Sequence, residues 1–559
     1  MKSIRQAGAS PLSATDHLSS APASAATLPT SSLVKEQLPA APATTVIAKV
    51  ITGDNRMDPL IDDLSYRFNE GSPVGTAVTV TFSFPTTMPS SYTGEDALDW
   101  KPFSDAQKAA TREVLNLLQQ QTKLTFQEVA ESDTVSGTMR FGNNTQTTSA
   151  GYALLPNSTK TDRDANTWMA SGANTPVVIG DYTWQTLVHE IGHAIGLNHP
   201  GNYNAGESKN TDAVGNFLSA DEDAFFNSIM SYRQSAQDIN AIWFMPYDML
   251  TLRHLYGKTD FGAGNNTYAY TDSSGTFVTN LIDDGGIDTL DFSAVTAGVV
   301  LNLTPGAYSS VGKIASGANA LANLTTAFDA TIEKAIGTAL ADTMLGNAAN
   351  NSFTGGGGDD TLDGATGADT AVYAGARASY TVTRGAASVT VAGGAGTEGT
   401  DTLSNVERLQ FADTKLGLDS ALGQVSGNAY LLCGAVLGST LLAVKKDVIN
   451  AVVDLMDQGF TFQVLSGAVM RLTSVWDILA GSGATASNTQ IANYLLTTVN
   501  RAAPDAATLA AAVAALDSET GAAQGTFLFN LAESAANQAQ VNLVGVAATG
   551  IEYGPLISP

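Results

Sequence analysis

From Gly337 to Val372 the chain can be written as four consecutive nonapeptides, GTALADTML, GNAANNSFT, GGGGDDTLD and GATGADTAV. Their sixth positions are Asp342, Asn351, Asp360 and Asp369, and their eighth positions are Met344, Phe353, Leu362 and Ala371. A nine-residue period with one apolar side chain and one oxygen ligand per turn leaves few architectures open. It calls for short strands that each send one side chain inward, joined by turns whose oxygens suit a hard cation, which is the pattern of a parallel β-roll. The third nonapeptide satisfies G-G-x-G-x-D-x-U-x in full and makes Gly355, Gly357 and Asp360 candidate calcium-binding positions, with Asp342 and Asp369 in equivalent places. A single GGGGDD stretch would read as a flexible loop; four turns in register favour the roll. Alternate turns of such a roll stack, which pairs Asp342 with Asp360 and Asn351 with Asp369.

The rest of the composition points the same way. Lys and Arg number 27 against 53 acids, for a net charge of -26. Phosphate binding needs a basic footprint, so nucleic acid is excluded as a partner, while cation binding is favoured. One cysteine, Cys433, rules out an internal disulfide and a Cys-rich zinc module, so any metal must be held by His, Asp, Glu or Tyr. The longest apolar run, Ala429 to Val444, falls short of the ~20 residues that span a bilayer and reads as a buried helix, so no transmembrane segment is expected.

Four regions follow. Residues 1–48 are rich in Ala, Ser, Thr and Pro and read as a flexible tail or propeptide, without the apolar stretch of a Sec signal peptide. Residues 49–259 alternate strand and helix patterns. AVTVTFSFP reads as a strand, and the helix that follows opens on a capping box of Ser104 and Gln107 with a stripe of Val114, Leu117, Leu118 and Gln121. Residues 260–422 hold short β-like runs between turn signals, and residues 423–559 are Ala- and Leu-rich helical patterns. The fold class expected is multidomain: an α+β catalytic domain, a parallel β-roll and an all-α C-terminal domain.

Three of five histidines fall in HEIGHAIGLNHPGNY, residues 189–203. His189 and His193, four apart on a helix, share one face and can hold one ion, while Glu190 stands beside it as a general base. Gly196 can end the helix in a left-handed turn and swing His199 round as a third ligand. Three neutral imidazoles leave zinc an open position, as catalysis requires. The full H-E-x-x-H-x-x-G-x-x-H string is highly specific, and NSIMSYR, about thirty residues on, supplies a methionine turn at Met230.

On these residues the chain resembles the metzincin metalloproteases, and among them the serralysins. Pro200 after the third histidine, and Tyr232 two places after Met230, are that subfamily's marks. GDNRMDPLIDDLSYRF, GYALLP and MPYDMLTLRHLYG extend the resemblance over roughly residues 50–415. It implies a metzincin catalytic domain with zinc on His189, His193 and His199, and Tyr232 as a further ligand that can swing away to stabilise the oxyanion. It also implies an extended polypeptide substrate, calcium in an RTX-type roll, and secretion through type I machinery to the extracellular space or cell surface. In IDDGGIDTLDFS, Asp283, Asp288 and Asp291 match acidic positions near calcium. The last 135 or so residues resemble a helical domain appended to bacterial secreted repeat proteins, for which a cell-surface partner is one role. The alternative is a surface-associated calcium-binding protein whose peptidase domain is vestigial; the intact Glu190 and three histidines count against it.

Overall fold

The computed structural model describes residues 51–554 except 63, 147–148, 172–176, 202–216, 235–236, 394–397, 482–484 and 518–520; the tail of residues 1–48 lies outside the described residues. The chain divides into two compact units, with the boundary between Thr338 and Ala339.

The first unit opens with β1 (Val78–Ser83), β2 (Lys101–Pro102), α1 (Asp105–Gln121), β3 (Leu124–Glu128), β4 (Met139–Asn144), β5 (Gly151–Ala153), β6 (Thr167–Ala170), α2 (Tyr182–Ala194), β7 (Asn240–Ala241) and α3 (Pro246–Tyr256). The sheet runs β3-β1-β4-β6-β5. Its pairings are parallel except where β5 lies antiparallel to β6 at the edge and the short β2 lies antiparallel to β4. Parallel neighbours need a crossover, and α1 supplies it between β1 and β3. That helix begins as a capping box: Ser104 Oγ accepts from the Gln107 amide at 3.3 Å and Gln107 Oε1 accepts from the Ser104 amide at 2.9 Å. Its buried stripe is Val114, Leu115, Leu118 and Gln121, with Leu117 at the margin. Leu187, Val188 and Ile191 of α2 belong to the same core as this stripe. Burial of every residue of β4 is what a strand covered on both faces shows.

The same unit continues through β8 (Thr267–Thr271), β9 (Phe277–Leu281), β10 (Thr289–Ala294), β11 (Val300–Asn302), β12 (Tyr308–Ser309), β13 (Leu324–Thr326) and β14 (Lys334–Ile336). β8, β10 and β14 pair in parallel. β7, which lies between α2 and α3 in sequence, pairs in parallel with β9.

In the second unit β15 (Thr343–Leu345), β16 (Ser352–Thr354), β17 (Thr361–Asp363) and β18 (Thr370–Val372) recur every nine residues. β15 pairs with β17 and β16 with β18, in parallel and eighteen residues apart. Each strand buries its middle side chain: Met344, Phe353, Leu362 and Ala371 are at most 1 % exposed. β19 (Tyr380–Arg384), β20 (Val389–Gly393), β21 (Thr400–Ser404), β22 (Arg408–Gln410) and β23 (Lys415–Gly417) follow, β21 continuing from β17 and β22 from β18 in parallel.

Among the described residues nine helices come next, from α4 (Val425–Leu442) through α5 (Lys446–Asp457), α6 (Phe462–Met470), α7 (Thr473–Leu479), α8 (Asn488–Asn500), α9 (Ala506–Leu516), α10 (Gly521–Glu533) and α11 (Ala535–Gln540) to α12 (Leu543–Thr549). The apolar run lies in α4, which breaks at Gly438 and buries Cys433. The helical region does not end as helix. β24 (Ile551–Tyr553) returns to pair antiparallel with β23, at the edge of the roll's sheet. Arg408 of β22, only 4 % exposed at its side chain, bridges to Asp419 and to Asp457 at the end of α5, the latter at 2.7 Å. Losing one partner of such a buried pair strands the other charge in a dry interior, so the helices are tied to the roll by charge as well as by backbone.

Candidate metal centre

α2 carries His189, Glu190 and His193, all buried. The helix ends because Gly196 takes φ 106°, and a Cβ there would lie 2.6 Å from the Tyr66 carbonyl oxygen. Only glycine fits both the left-handed turn and that approach. Tyr256 of α3 donates its hydroxyl to the Ile195 carbonyl at 2.7 Å and so holds this end of α2 in place. The turn carries His199 back to the helix.

The three Nε2 atoms converge, His193 at 3.1 Å from both His189 and His199, and these two 3.3 Å apart. Nitrogens about 2.0–2.1 Å from a tetrahedral zinc stand about 3.3–3.4 Å from one another, so the spacing fits that ion. Protonation fits as well. His189 Nδ1 donates to the Ile229 carbonyl at 2.9 Å and His193 Nδ1 to the Leu197 carbonyl at 2.7 Å. With those protons on Nδ1, the two Nε2 lone pairs face each other across the gap, an arrangement that a cation relieves. Burial pushes His189 down to about 4, and burial with the neighbouring imidazoles pushes His193 well below its ordinary value, so the neutral ligand form prevails. Among the described residues this is the one cluster of three or more His, Cys, Asp or Glu whose ligand atoms gather within 4.8 Å.

Met230 lies beneath: a Cβ on Gly192, in the turn between His189 and His193, would meet its sulfur at 2.7 Å. Tyr232 stacks its ring beside the site, 4.5 Å from the His199 ring and 6.0 Å from that of His189. Glu190 lies against the edge strand β5, where a Cβ on Gly151 would come within 2.9 Å of its Cγ.

The acidic positions form a different pattern. Asp360 Oδ1 accepts from the Asp342 amide at 2.8 Å, and Asp401 Oδ1 from the Asp360 amide at 3.1 Å. Asp369 Oδ1 accepts from the Asn351 amide at 2.6 Å, and Glu407 Oε2 from the Asp369 amide at 2.9 Å. These are ladders in which each carboxylate caps the turn before it. Asp360 Oδ2 and Asp369 Oδ2 remain buried without a hydrogen-bond partner, oxygens that suit calcium. Glycine makes room for them: a Cβ on Gly355 would fall 2.1 Å from Asp360 Oδ2. Positive φ occurs at Gly356 and Gly358, and Gly357 between them is buried. Burial and neighbouring carboxylates push Asp360 and Asp369 up to about 7.

In the first unit Asp288 Oδ1 accepts from the Asn266 amide at 2.7 Å while its Oδ2 is buried without a hydrogen-bond partner, and the neighbouring Asp283 accepts from the Tyr268 hydroxyl at 2.5 Å. Asp291 accepts from the Ser293 amide at 2.9 Å on its own strand. Asp401 and Glu407 were not singled out from sequence because they lie outside the nine-residue frame; Glu333, whose Oε2 accepts from the Asp288 amide at 2.8 Å, stands nine residues before Asp342 but in a stretch without the repeat's glycines, and was missed for that reason. Asp248 was missed too, although an acid two residues after Pro246 signals the first turn of a helix.

Residues 56–243 match the family model described as metallo-peptidase family M12. Residues 251–424 match the model described as peptidase M10 serralysin C terminal. The metalloprotease AprA of Pseudomonas entomophila (strain L48) is 32 % identical over 295 residues, 48 % of this chain and 59 % of that protein. The serralysin of Proteus mirabilis is 31 % identical over 269 residues, 42 % of this chain and 52 % of its own. The chain thus spans between about half and three fifths of the length of these relatives. A solved structure of myroilysin covers 36 % of this chain and 98 % of its own, at 14 % identity and a TM-score of 0.21. The two family matches, in this order along the chain, make it similar to the serralysin-type metalloproteases. That family implies zinc and calcium as cofactors.

Proposed function

We propose that the chain is a metzincin endopeptidase that cleaves extended polypeptides. The observation that carries this reading is the convergence of three imidazole Nε2 atoms at 3.1–3.3 Å beside a buried glutamate. His189, His193 and His199 would hold zinc, which when bound is a Lewis acid that makes water nucleophilic near neutral pH. Glu190 takes the proton of the attacking water and returns it to the leaving amine. The Tyr232 hydroxyl donates to the oxyanion that develops on the scissile carbonyl. The substrate backbone adds to the edge of the sheet at β5, so main-chain hydrogen bonds supply much of the affinity.

In this reading residues 49–259 are the peptidase, 260–422 a calcium-stabilised roll and 423–559 a helical extension. Asp342, Asp360 and Asp369, with Asp283 and Asp288, supply calcium-facing carboxylates. The product is secreted, through type I machinery, to the extracellular space or the cell surface. The test is Glu190→Gln, assayed on an unfolded protein substrate. Turnover falls by about 10² to 10⁴, the range for losing a general base, while zinc content is unchanged. Full activity in the variant would remove Glu190 from the mechanism, and wild-type cleavage that survives chelation would remove the metal.

A further inference from the structure

His189 is oriented by a backbone carbonyl, and that carbonyl has a support of its own. Ile229, whose oxygen accepts the His189 Nδ1 proton at 2.9 Å, donates its amide to Asp248 Oδ2 at 2.7 Å. The Ser228 hydroxyl donates to Asp248 Oδ1 at 2.6 Å and accepts from the Met230 amide at 3.0 Å. Asp248 Oδ2 also accepts from the Met245 amide at 2.8 Å, at the N-terminus of α3. One fully buried carboxylate therefore ties three consecutive residues of the methionine turn, Ser228 to Met230, to the start of a helix. The far end of that helix carries Tyr256, which holds Ile195 at the close of α2. α3 braces both segments that bring the histidines together.

Resting on the zinc reading above, we infer that Asp248 is a positioning residue for the metal centre: it fixes the Ile229 peptide, and through the Ile229 carbonyl it holds His189 in the tautomer and orientation that present Nε2. Nothing in this places Asp248 against substrate or metal. Its effect passes through one peptide plane. Partners of this kind, one bond removed from a ligand, change metal affinity by about 10- to 100-fold when lost.

The test uses the full-length protein and Asp248→Asn. The amide oxygen can still accept from Ile229 and Met245, but as a neutral acceptor it binds them less strongly, and its NH₂ group turns a donor toward the Ser228 hydroxyl. Zinc affinity, measured by competition with a chromophoric chelator, is expected to fall by about 10- to 100-fold. The visible spectrum of the cobalt-substituted protein should change, and kcat should fall while KM stays within about twofold. Wild-type protein that fails to bind zinc sinks the zinc reading itself. Wild-type protein that binds, with Asp248→Asn binding equally well, overturns the inference alone. If Asp248→Asn loses its near-ultraviolet circular dichroism, Ser228→Ala decides. That variant removes one strut and leaves the carboxylate; weakened zinc binding supports the inference, and unchanged binding overturns it.

Discussion

The histidine site and the carboxylate ladders are both arrangements of metal-ligand side chains, yet they reach that state in opposite ways. At the histidine site the three Nε2 atoms converge to within about 0.3 Å of tetrahedral spacing, and His189 and His193 are locked by carbonyls of the methionine turn and of the turn after α2. The protein core has already assembled the site. In the ladders the ligands are charged and each carboxylate spends one oxygen on the preceding turn's amide, leaving the other buried. Here the fold brings like charges together, and only a proton or a cation relieves them. The histidine cluster is held in place by backbone carbonyls; the ladders need something positive in order to be stable.

The largest expected effect is at the histidine site. His199→Ala removes one of three ligands, so metal analysis should find the zinc lost and cleavage undetectable, while the helix that carries His189 and His193 is unaffected. Stoichiometric zinc in this variant would mean that the third histidine is not a ligand and that the site is less preformed than its geometry indicates.

Gly151→Ala tests how tightly the same site is built. A Cβ would come within 2.9 Å of Glu190 Cγ and 3.1 Å of its Oε1. Displacing a general base by a fraction of an ångström should lower kcat by about tenfold or more, with zinc content unchanged. A variant with wild-type kcat would show that Glu190 tolerates movement.

pH separates the two regions by sign. Asp360 and Asp369 are raised from 3.8 to about 7 in the folded state, so without calcium their contribution is fully present below about 4 and is lost as pH rises through about 7. His189 is lowered from 6.5 to about 4, so its contribution is present above 6.5 and is lost as pH falls through about 4. Thermal melts in chelator should therefore show the roll weakening between pH 5 and pH 8, and calcium should raise its Tm more at pH 8. A calcium effect of equal size at both pH values would break the contrast.

The smallest effect distinguishes the two ladders. Asp360 is pushed up by Asp401, Asp342 and Asp359, whereas Asp369 faces Glu407 and Asp363. A site richer in carboxylates gives a hard cation more charge. In calcium titrations followed by circular dichroism, Asp360→Ala should shift the midpoint further than Asp369→Ala. Equal midpoints would show that charge count does not rank these rungs.

Local spacing carried much of this in readable form. Four residues between His189 and His193 mean one helix face, Gly196 means a break, and nine residues between apolar positions mean a strand and a turn. The capping box of Ser104 and Gln107 is legible for the same reason, since its partners are three residues apart. What stayed hidden depends on partners distant in the chain. Asp248 reaches Ile229 across 19 residues, and Asp401 reaches Asp360 across 41. Gly151 has no side chain to reveal that Glu190 lies against it. The final strand was hidden because Ile551–Tyr553 follows a long helical stretch, and only the open edge of β23 makes it a strand.

The sequence by itself therefore determined which residues could hold a metal, because ligand type and periodicity are properties of neighbours along a chain. Tertiary structure decided which of them converge and which are only strung in ladders. Convergence needs a turn, a helix end and a distant carboxylate to agree in space, and a periodic strand repeats its ligands along an axis instead of closing them round a point.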